Sequence, residues 1–260
     1  MTILLNTDDY GVATLTLNRP DKMNAFNREM LDAWNAALLK CADDPAVKVI
    51  VLTGAGRAFC AGGDTSDMKR RSETPETALE RKDFLFRNVH RIAITMEQLD
   101  KPVIAAINGA ARGAGLDMAL MCDIRIAAAS ATVAESYIDL GLMAGDGGAW
   151  YLRRLIRLDH VLELIWTGRK LTAEEARELG VVTRVVPDDQ LMSSTYELAR
   201  CIAAQSSPAV RMSKRAVYQA ADLSLMAHLD MVSSHMAVVR DTDEYRAKMA
   251  EIAARRRAKT

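Results

Sequence analysis

The sequence predicts an α/β fold in which short buried strands alternate with helices, followed by a region that contains helices alone. Continuous or alternating apolar runs, rich in β-branched residues, recur between segments with helical spacing. This alternation is typical of a layered α/β core. The strand signals stop near Pro187. We therefore divide the chain into a core, residues 1–187, and a C-terminal helical region, residues 188–260.

The strands are predicted from the apolar runs in chain order. An N-terminal strand is followed by strands at residues 11–19, 46–53, 102–107, 124–129 and 181–186. Half of the 260 residues are hydrophobic, so the chain can bury a sizeable core.

Helices are predicted over residues 27–42, 78–98 and 113–121. Asn27 is a suitable N-cap for the first of them. Thr172 and Glu175 form a capping box, and Gly180 is placed to end the helix that follows. Three or four further helices are predicted after Pro187. One of these carries Met226, Met231 and Met236, a pattern that indicates a helix–helix contact, including one between subunits.

Composition excludes several classes of protein. Lys plus Arg and Asp plus Glu both number 34, so no net charge attracts nucleic acid or an acidic membrane surface. No apolar run reaches the roughly 18 residues of a membrane span, and the N-terminus lacks the pattern of a signal peptide. The cysteines are far apart and form no CxxC pair, which favours a reducing cytoplasm; they are Cys41, Cys60, Cys122 and Cys201.

Two glycine-rich segments, residues 54–64 and 108–117, each follow a buried strand and lead into a predicted helix. Glycine lets the backbone approach a ligand closely, and a helix start leaves amide N–H groups unpaired. Such donors bind anions, so the two segments together predict a site that holds one oxyanion.

Other chemistries find no support in the pattern. The segments contain neither a complete dinucleotide-binding glycine motif nor a P-loop, and no GxSxG elbow is present. No spacing of histidines and carboxylates indicates a metal site. The histidines lie in helical patterns without nearby nucleophiles and are interpreted as packing or surface residues; they are His90, His160, His228 and His235.

Several motifs in order resemble the enoyl-CoA hydratase/isomerase family, also called the crotonase superfamily, from about residue 10 to about residue 250. The motifs are Asn18-Arg19-Pro20, Met23-Asn24-Ala25, Arg57 to Asp64, Asn108-Gly109, Gly113-Ala114-Gly115, Leu140-Gly141-Leu142, Gly147-Gly148, Thr167-Gly168-Arg169 and Leu179-Gly180-Val181-Val182. The resemblance implies a spiral of ββα units with C-terminal helices that build trimers, often stacked as hexamers. It also implies an acyl-CoA substrate and no permanently bound cofactor. Nucleic-acid binding is possible for relatives, but the zero net charge gives it no support here, and no membrane partner is expected.

The resemblance places the family's oxyanion donors on the amides of Ala61 and Ala114. It places the CoA-binding positions on two backbone segments, at Lys22, Met23, Ala25, Ala61, Gly62, Gly63 and Asp64. Removal of one oxyanion donor typically costs roughly 100- to 1000-fold in rate.

The acid–base residues depart from the family pattern. Hydratases of the family use two glutamates; the first falls on Asp117, which is shorter by one methylene, and the second on Tyr137. Glu135 lies two residues earlier and fits only with a shift in register. Asp146 lies one residue beyond a position where other members place a catalytic aspartate, and it is also a possible N-cap. Arg112 either meets an anionic group of the substrate or points to solvent.

The predicted reaction is the addition of water to a 2-enoyl-CoA, or its reverse, with Asp117 aided by Asp146 or Tyr137. The closest alternative is double-bond isomerisation, for which a single carboxylate suffices. An alternative of another class is a catalytically silent member that binds acyl-CoA or acts as a scaffold.

Overall fold

The computed structural model describes residues 1–73 and 75–257. Its strands are β1 (Ile3–Thr7), β2 (Val12–Leu17), β3 (Val49–Gly54), β4 (Ala58–Cys60), β5 (Val103–Ile107), β6 (Ala110–Arg112), β7 (Ile124–Ala128), β8 (Thr132–Ala134), β9 (Leu171–Thr172) and β10 (Arg184–Val186). Each strand predicted from an apolar run is present, with bounds that differ by a few residues.

The α-helices are α1 (Arg28–Asp43), α2 (Thr65–Ser72), α3 (Ala78–Phe84), α4 (His90–Gln98), α5 (Ala114–Leu120), α6 (Gly148–Leu155), α7 (Leu158–Thr167), α8 (Ala173–Leu179), α9 (Leu191–Ala203), α10 (Ser207–Gln219), α11 (Leu225–Arg240) and α12 (Asp243–Arg257). Short 3₁₀ turns occupy Pro20–Lys22, Ser136–Leu140 and Asp188–Gln190. A π-helical turn over Leu85–Val89 joins α3 to α4, so the helix predicted over residues 78–98 changes its hydrogen bonding midway.

The predicted helix caps are confirmed. The Asn27 side chain accepts a hydrogen bond from the Met30 amide at 3.0 Å, which starts α1. Thr172 and Glu175 bond reciprocally at the start of α8. Gly180 follows that helix with φ of +90°, a left-handed conformation that glycine adopts without strain.

Two sheets form the core. The larger has the order β1-β2-β3-β5-β7-β10, and its strands are parallel except for the antiparallel pair β1–β2. The smaller has the order β4-β6-β8-β9. Its strands have two or three residues each, too short for a periodic pattern, and they were not predicted from the sequence. From β3 to β8, successive strands alternate between the larger and the smaller sheet, and each such pair is followed by a helix or a 3₁₀ turn, which gives the predicted ββα spiral.

The helices after Pro187 differ in how they pack. Helix α9 lies against the large sheet and buries Leu191, Thr195, Ala199 and Ala203. Helices α10 and α11 have no fully buried residue. The boundary between residues 187 and 188 stays a prediction, and the last three residues of that region lie outside the described part of the chain.

Candidate active site

The first glycine-rich segment presents the Gly63 amide without an acceptor among the described residues, whereas the amides on either side of it have one. The Ala61 N–H donates to the Met23 carbonyl at 2.9 Å, and the Asp64 N–H donates to the Phe26 carbonyl at 2.9 Å. The Gly62 N–H lies 3.4 Å from the Cys60 sulfur. Within the described residues, no acceptor is in hydrogen-bonding range of the Gly63 N–H. The assignment of a free donor to Ala61 is therefore wrong, because the neighbouring chain segment already occupies that amide.

The second segment presents the Ala114 amide beside the first segment. Gly113 has φ of +47° and donates its own N–H to the Ala134 carbonyl at 2.8 Å. Ala114 is the first residue of α5, so its N–H lies outside the helical hydrogen bonds. A Cβ on Gly62 would stand 3.5 Å from the Ala114 nitrogen. The backbone at Gly62–Gly63 and the Ala114 amide are therefore neighbours.

Asn24 holds the chain at residues 22–25 against the first glycine segment. Its side-chain amide donates to the carbonyls of Ala55 at 2.9 Å and Ala58 at 2.8 Å, and its oxygen accepts from the Arg19 amide. Asn24 is completely buried and has φ of +57°, a conformation that asparagine tolerates better than most residues. The sequence predicts no role for this side chain, and its signal there is its place in the motif Met23-Asn24-Ala25.

Asp117 lies one turn into α5 and is completely buried. Its Oδ2 accepts a hydrogen bond from the Tyr137 hydroxyl at 2.6 Å and from the Asp146 amide at 3.1 Å. Burial raises the pKa of Asp117 to about 6, although the hydrogen bond from Tyr137 lowers it. The carboxylate therefore does not open directly onto solvent, and Tyr137 stands in front of it.

Asp146 and Tyr137 complete a hydrogen-bonded cluster with Asp117. The Tyr137 hydroxyl lies 3.0 Å from Asp146 Oδ2, so it bridges the two aspartates. The N-cap of α6 is Gly147, which shows that Asp146 is not the capping residue that the sequence allowed. The Asp146 Oδ1 atom has no hydrogen-bond partner among the described residues.

Tyr137 connects this cluster to the glycine segments. Its ring lies 3.6 Å from the point where a Cβ on Gly113 would stand, beside the Ala114 amide. Burial, together with the charges of Asp117 and Asp146, raises the pKa of Tyr137 far above its ordinary value. The phenol is therefore a proton donor throughout the neutral range.

His90 lies beside this cluster, a contact that its interpretation as a packing or surface residue did not include. Its Nε2 lies 2.7 Å from the Gly145 carbonyl and 3.5 Å from Asp146 Oδ1. The contact with the Asp146 carboxylate is the main cause that raises the pKa of His90. The two residues are far apart in sequence, so no local pattern reveals the contact.

Glu135, the residue out of register in the sequence, lies against Asp117 in the fold. A Cβ on Gly148 would stand 2.2 Å from Asp117 Oδ1 and 2.5 Å from Glu135 Oε1, which places the two carboxyl groups side by side. Glu135 is buried. Its proximity to Asp117 depends on the packing of α6 onto α5, which no local sequence pattern reveals.

Comparison with known proteins decides the family. The model of the family described as enoyl-CoA hydratase/isomerase matches residues 7–259. This chain belongs to the enoyl-CoA hydratase/isomerase family. A relative from Escherichia coli (strain K12), named 1,2-epoxyphenylacetyl-CoA isomerase, is 35% identical over 258 residues, which cover 98% of this chain and 97% of the relative. The short-chain-enoyl-CoA hydratase of Clostridium acetobutylicum is 37% identical over 207 residues, covering 79% and 77%.

Solved structures agree with this membership. An enoyl-CoA hydratase from Mycobacterium smegmatis superposes with a TM-score of 0.90 at 30% identity, covering 98% of this chain and 97% of that one. An enoyl-CoA hydratase from Bacillus anthracis superposes with a TM-score of 0.88 at 34% identity, covering 98% and 97%. The chain therefore has the crotonase fold and is an enzyme of a hydratase/isomerase family that uses CoA thioesters.

The other residues considered as substrate contacts differ in whether they are free to bind a ligand. Lys22 and Met23 are exposed at the turn beside Asn24. Asp64, in contrast, forms a 2.9 Å ion pair with Arg19 and caps α2 through the Ser66 amide, so its carboxylate already has structural partners. Arg112 is half-buried and donates to the Thr132 hydroxyl at 3.3 Å rather than reaching the acid–base cluster.

Features that would indicate metal chemistry or insertion into a membrane are not found in the described residues. No group of histidine, cysteine and acidic side chains there could hold a metal ion. No helix of that part is long and apolar enough to cross a membrane. Cys41, Cys60 and Cys122 are buried free thiols.

Proposed function

We propose that this enzyme adds water to the double bond of a 2-enoyl-CoA thioester, or removes it in the reverse direction. One observation carries the proposal. Three acid–base side chains, Asp117, Tyr137 and Asp146, form one hydrogen-bonded cluster beside two amides that have no acceptor among the described residues.

The amides of Gly63 and Ala114 form the oxyanion hole in this proposal. The thioester carbonyl oxygen accepts both N–H groups, and the negative charge that develops there as the enolate forms is stabilised. Gly62 permits the arrangement because its φ of +90° and lack of a side chain leave room beside the Ala114 nitrogen.

Proton transfer runs through Tyr137. Water held at the free Oδ1 of Asp146 attacks the β-carbon, and its proton passes to the tyrosine oxygen while the tyrosine proton passes to Asp117. The proton stored on Asp117 then returns through Tyr137 to the α-carbon of the enolate. The net result is the addition of one water molecule, with the site unchanged. General acid–base catalysis of this kind typically raises the reaction rate roughly 100- to 10,000-fold.

Isomerisation of the double bond is the second candidate. The same Tyr137–Asp117 relay can take a proton from one carbon and return it to another without water. The observation that favours this reaction is the phenol of Tyr137 at the position where family hydratases have a second carboxylate. The Escherichia coli relative is also named an isomerase, of 1,2-epoxyphenylacetyl-CoA.

Labelled water separates the two reactions. The enzyme is incubated with a 2-enoyl-CoA and, separately, with a 3-enoyl-CoA in H₂¹⁸O, and the products are identified by mass spectrometry. We expect a hydroxyacyl-CoA that carries one ¹⁸O atom from the 2-enoyl substrate. A shifted double bond without labelled oxygen would establish the isomerase, and no product from either substrate would refute both reactions.

The CoA portion is proposed to lie along the backbone at residues 22–25 and 61–64. The support is their contact: the Met23 carbonyl accepts from the Ala61 amide, and the Phe26 amide donates to the Gly62 carbonyl at 2.8 Å. The two segments therefore form one surface that leads to the Gly63 amide. The free thiols and the family's substrates support a cytoplasmic location.

A trimer, or a multiple of it such as a hexamer, is proposed as the assembly. Helix α11 exposes large apolar side chains with no cover from this chain: Leu225 is 71% exposed, Met226 77% and Leu229 52%. Contact with other subunits would bury them. We expect light scattering at micromolar concentration to give a mass three or six times that of the chain. A stable monomer or dimer would contradict the assembly.

A further inference from the structure

Two carboxyl groups face each other beneath the catalytic cluster without a donor between them. Asp117 Oδ1 and both oxygens of Glu135 are buried and have no hydrogen-bond partner among the described residues. Asp117 Oδ1 and Glu135 Oε1 both lie within 2.5 Å of the point where a Cβ on Gly148 would stand. Helix α6 packs directly onto the two carboxyl groups, so only glycine fits at position 148.

Nothing on the surrounding elements neutralises a second negative charge. No ion pair of the described residues includes Asp117 or Glu135. The titratable groups that face the pair are Tyr137 on the 3₁₀ turn, Asp146 on the loop before α6 and Tyr151 on α6; His90 on α4 lies beyond Asp146. Two buried carboxylates in contact repel each other and lose their hydration, so one of them must hold a proton.

We propose that Glu135 is a neutral carboxylic acid in the resting enzyme and donates its proton in a hydrogen bond to Asp117 Oδ1. Asp117, and not Glu135, keeps the charge because Asp117 Oδ2 accepts two further hydrogen bonds, from Tyr137 and from the Asp146 amide. Burial, followed by the charge of Asp117, raises the pKa of Glu135 to about 10, in agreement with this assignment.

Glu135 is then a positioning residue that acts through Asp117. Its hydrogen bond fixes Oδ1 and leaves Oδ2 directed at Tyr137, the group that carries the proton. This consequence rests on the proposed function, whereas the protonation state of Glu135 does not, since it belongs to the folded enzyme without substrate.

The first experiment measures the protonation state from stability. The pKa of Glu135 is raised from its ordinary value of 4.5, which applies in the unfolded chain, to about 10 in the fold. Unfolding therefore releases its proton, and stability falls as pH rises between these values. We expect the unfolding equilibrium constant of the parent to rise about tenfold more per pH unit than that of Glu135→Gln between pH 6 and 9. The control is Glu178→Gln at an exposed glutamate, which should keep the parental dependence. Equal dependence in the parent and Glu135→Gln would overturn the proposal.

Infrared spectroscopy of the resting enzyme gives an independent readout. The parent should show the carbonyl band of a protonated carboxyl group at neutral pH, and Glu135→Gln should lack it. A parent without this band would also overturn the proposal. If the band and the stability difference are present while no CoA thioester is converted, the protonated Glu135 stands and the proposed function fails.

Turnover tests the positioning role. The amide of Glu135→Gln still offers an N–H to Asp117 Oδ1, whereas Glu135→Leu offers none. We expect kcat of the glutamine variant to exceed that of the leucine variant at least about tenfold. KM should be similar in both variants, because neither side chain reaches the proposed CoA surface. Equal kcat in two folded variants would show that the hydrogen bond does not position Asp117.

Discussion

Asp117→Asn is expected to lower kcat at least about 100-fold with little change in the affinity for CoA thioesters. The substitution keeps the shape of the side chain and removes its basicity, so Tyr137 loses the group that stores its proton. The affinity should persist because Asp117 is completely buried and its carboxylate is hydrogen-bonded to Tyr137 and the Asp146 amide, not to residues 22–25 or 61–64. Steady-state kinetics on the substrate identified with labelled water, with calorimetric titration of CoA, measures both quantities.

The pH dependence of the parent enzyme provides the control. Burial raises the pKa of Asp117 to about 6, and a base must be ionised to act, so kcat should fall as the pH drops through about 6. Asp117→Asn should lack this decline. If a folded Asp117→Asn variant turned over as fast as the parent, Asp117 would be a structural residue of α5. The role of the base would then pass to Asp146.

Ala114→Pro is expected to reduce kcat/KM by about 100- to 1000-fold, because proline has no N–H and removes one oxyanion donor. Ala114 is the first residue of α5, the helical position that tolerates proline best, so the backbone should keep its course. The measurement is kcat/KM, with circular dichroism to show that the variant is folded.

Ala114→Gly is the matched control, since glycine retains the N–H. This variant should keep most of its activity and lose at most about 1 kcal/mol of stability from the helix. Similar activity in the proline and glycine variants would exclude the Ala114 amide from the oxyanion hole. Because the Gly63 amide would remain in either variant, the comparison isolates one donor.

The sequence predicts the large sheet well because its strands are long apolar runs, such as β3, whose hydrophobic residues are buried. It predicts the caps because the side chains of Asn27 and Thr172 accept hydrogen bonds from amides three residues away. The smaller sheet escapes prediction, since a strand such as β4 is too short to show a period. Local signals are therefore the ones that a single sequence reveals reliably.

The site shows the same division. The sequence correctly predicts that the two glycine segments are neighbours. It does not reveal which amide is free, because the carbonyls of Met23 and Phe26 accept hydrogen bonds from the amides of Ala61 and Asp64. His90 reaches the Gly145 carbonyl across a long stretch of chain. Asp117, Tyr137 and Asp146 could be named from motif positions, whereas their shared hydrogen bonds and the contact with Glu135 depend on helix packing.

The π-helical turn at Leu85–Val89 affects how length differences between relatives should be interpreted. A π turn holds one residue more than an α turn, and each residue of an α-helix rotates the following side chains by about 100°. The π turn therefore accommodates one additional residue and orients the His90 ring toward the Gly145 carbonyl. A related chain that lacks one residue here can present its histidine from an ordinary α-helix. A one-residue gap in an alignment at this point is therefore compatible with an identical active-site geometry.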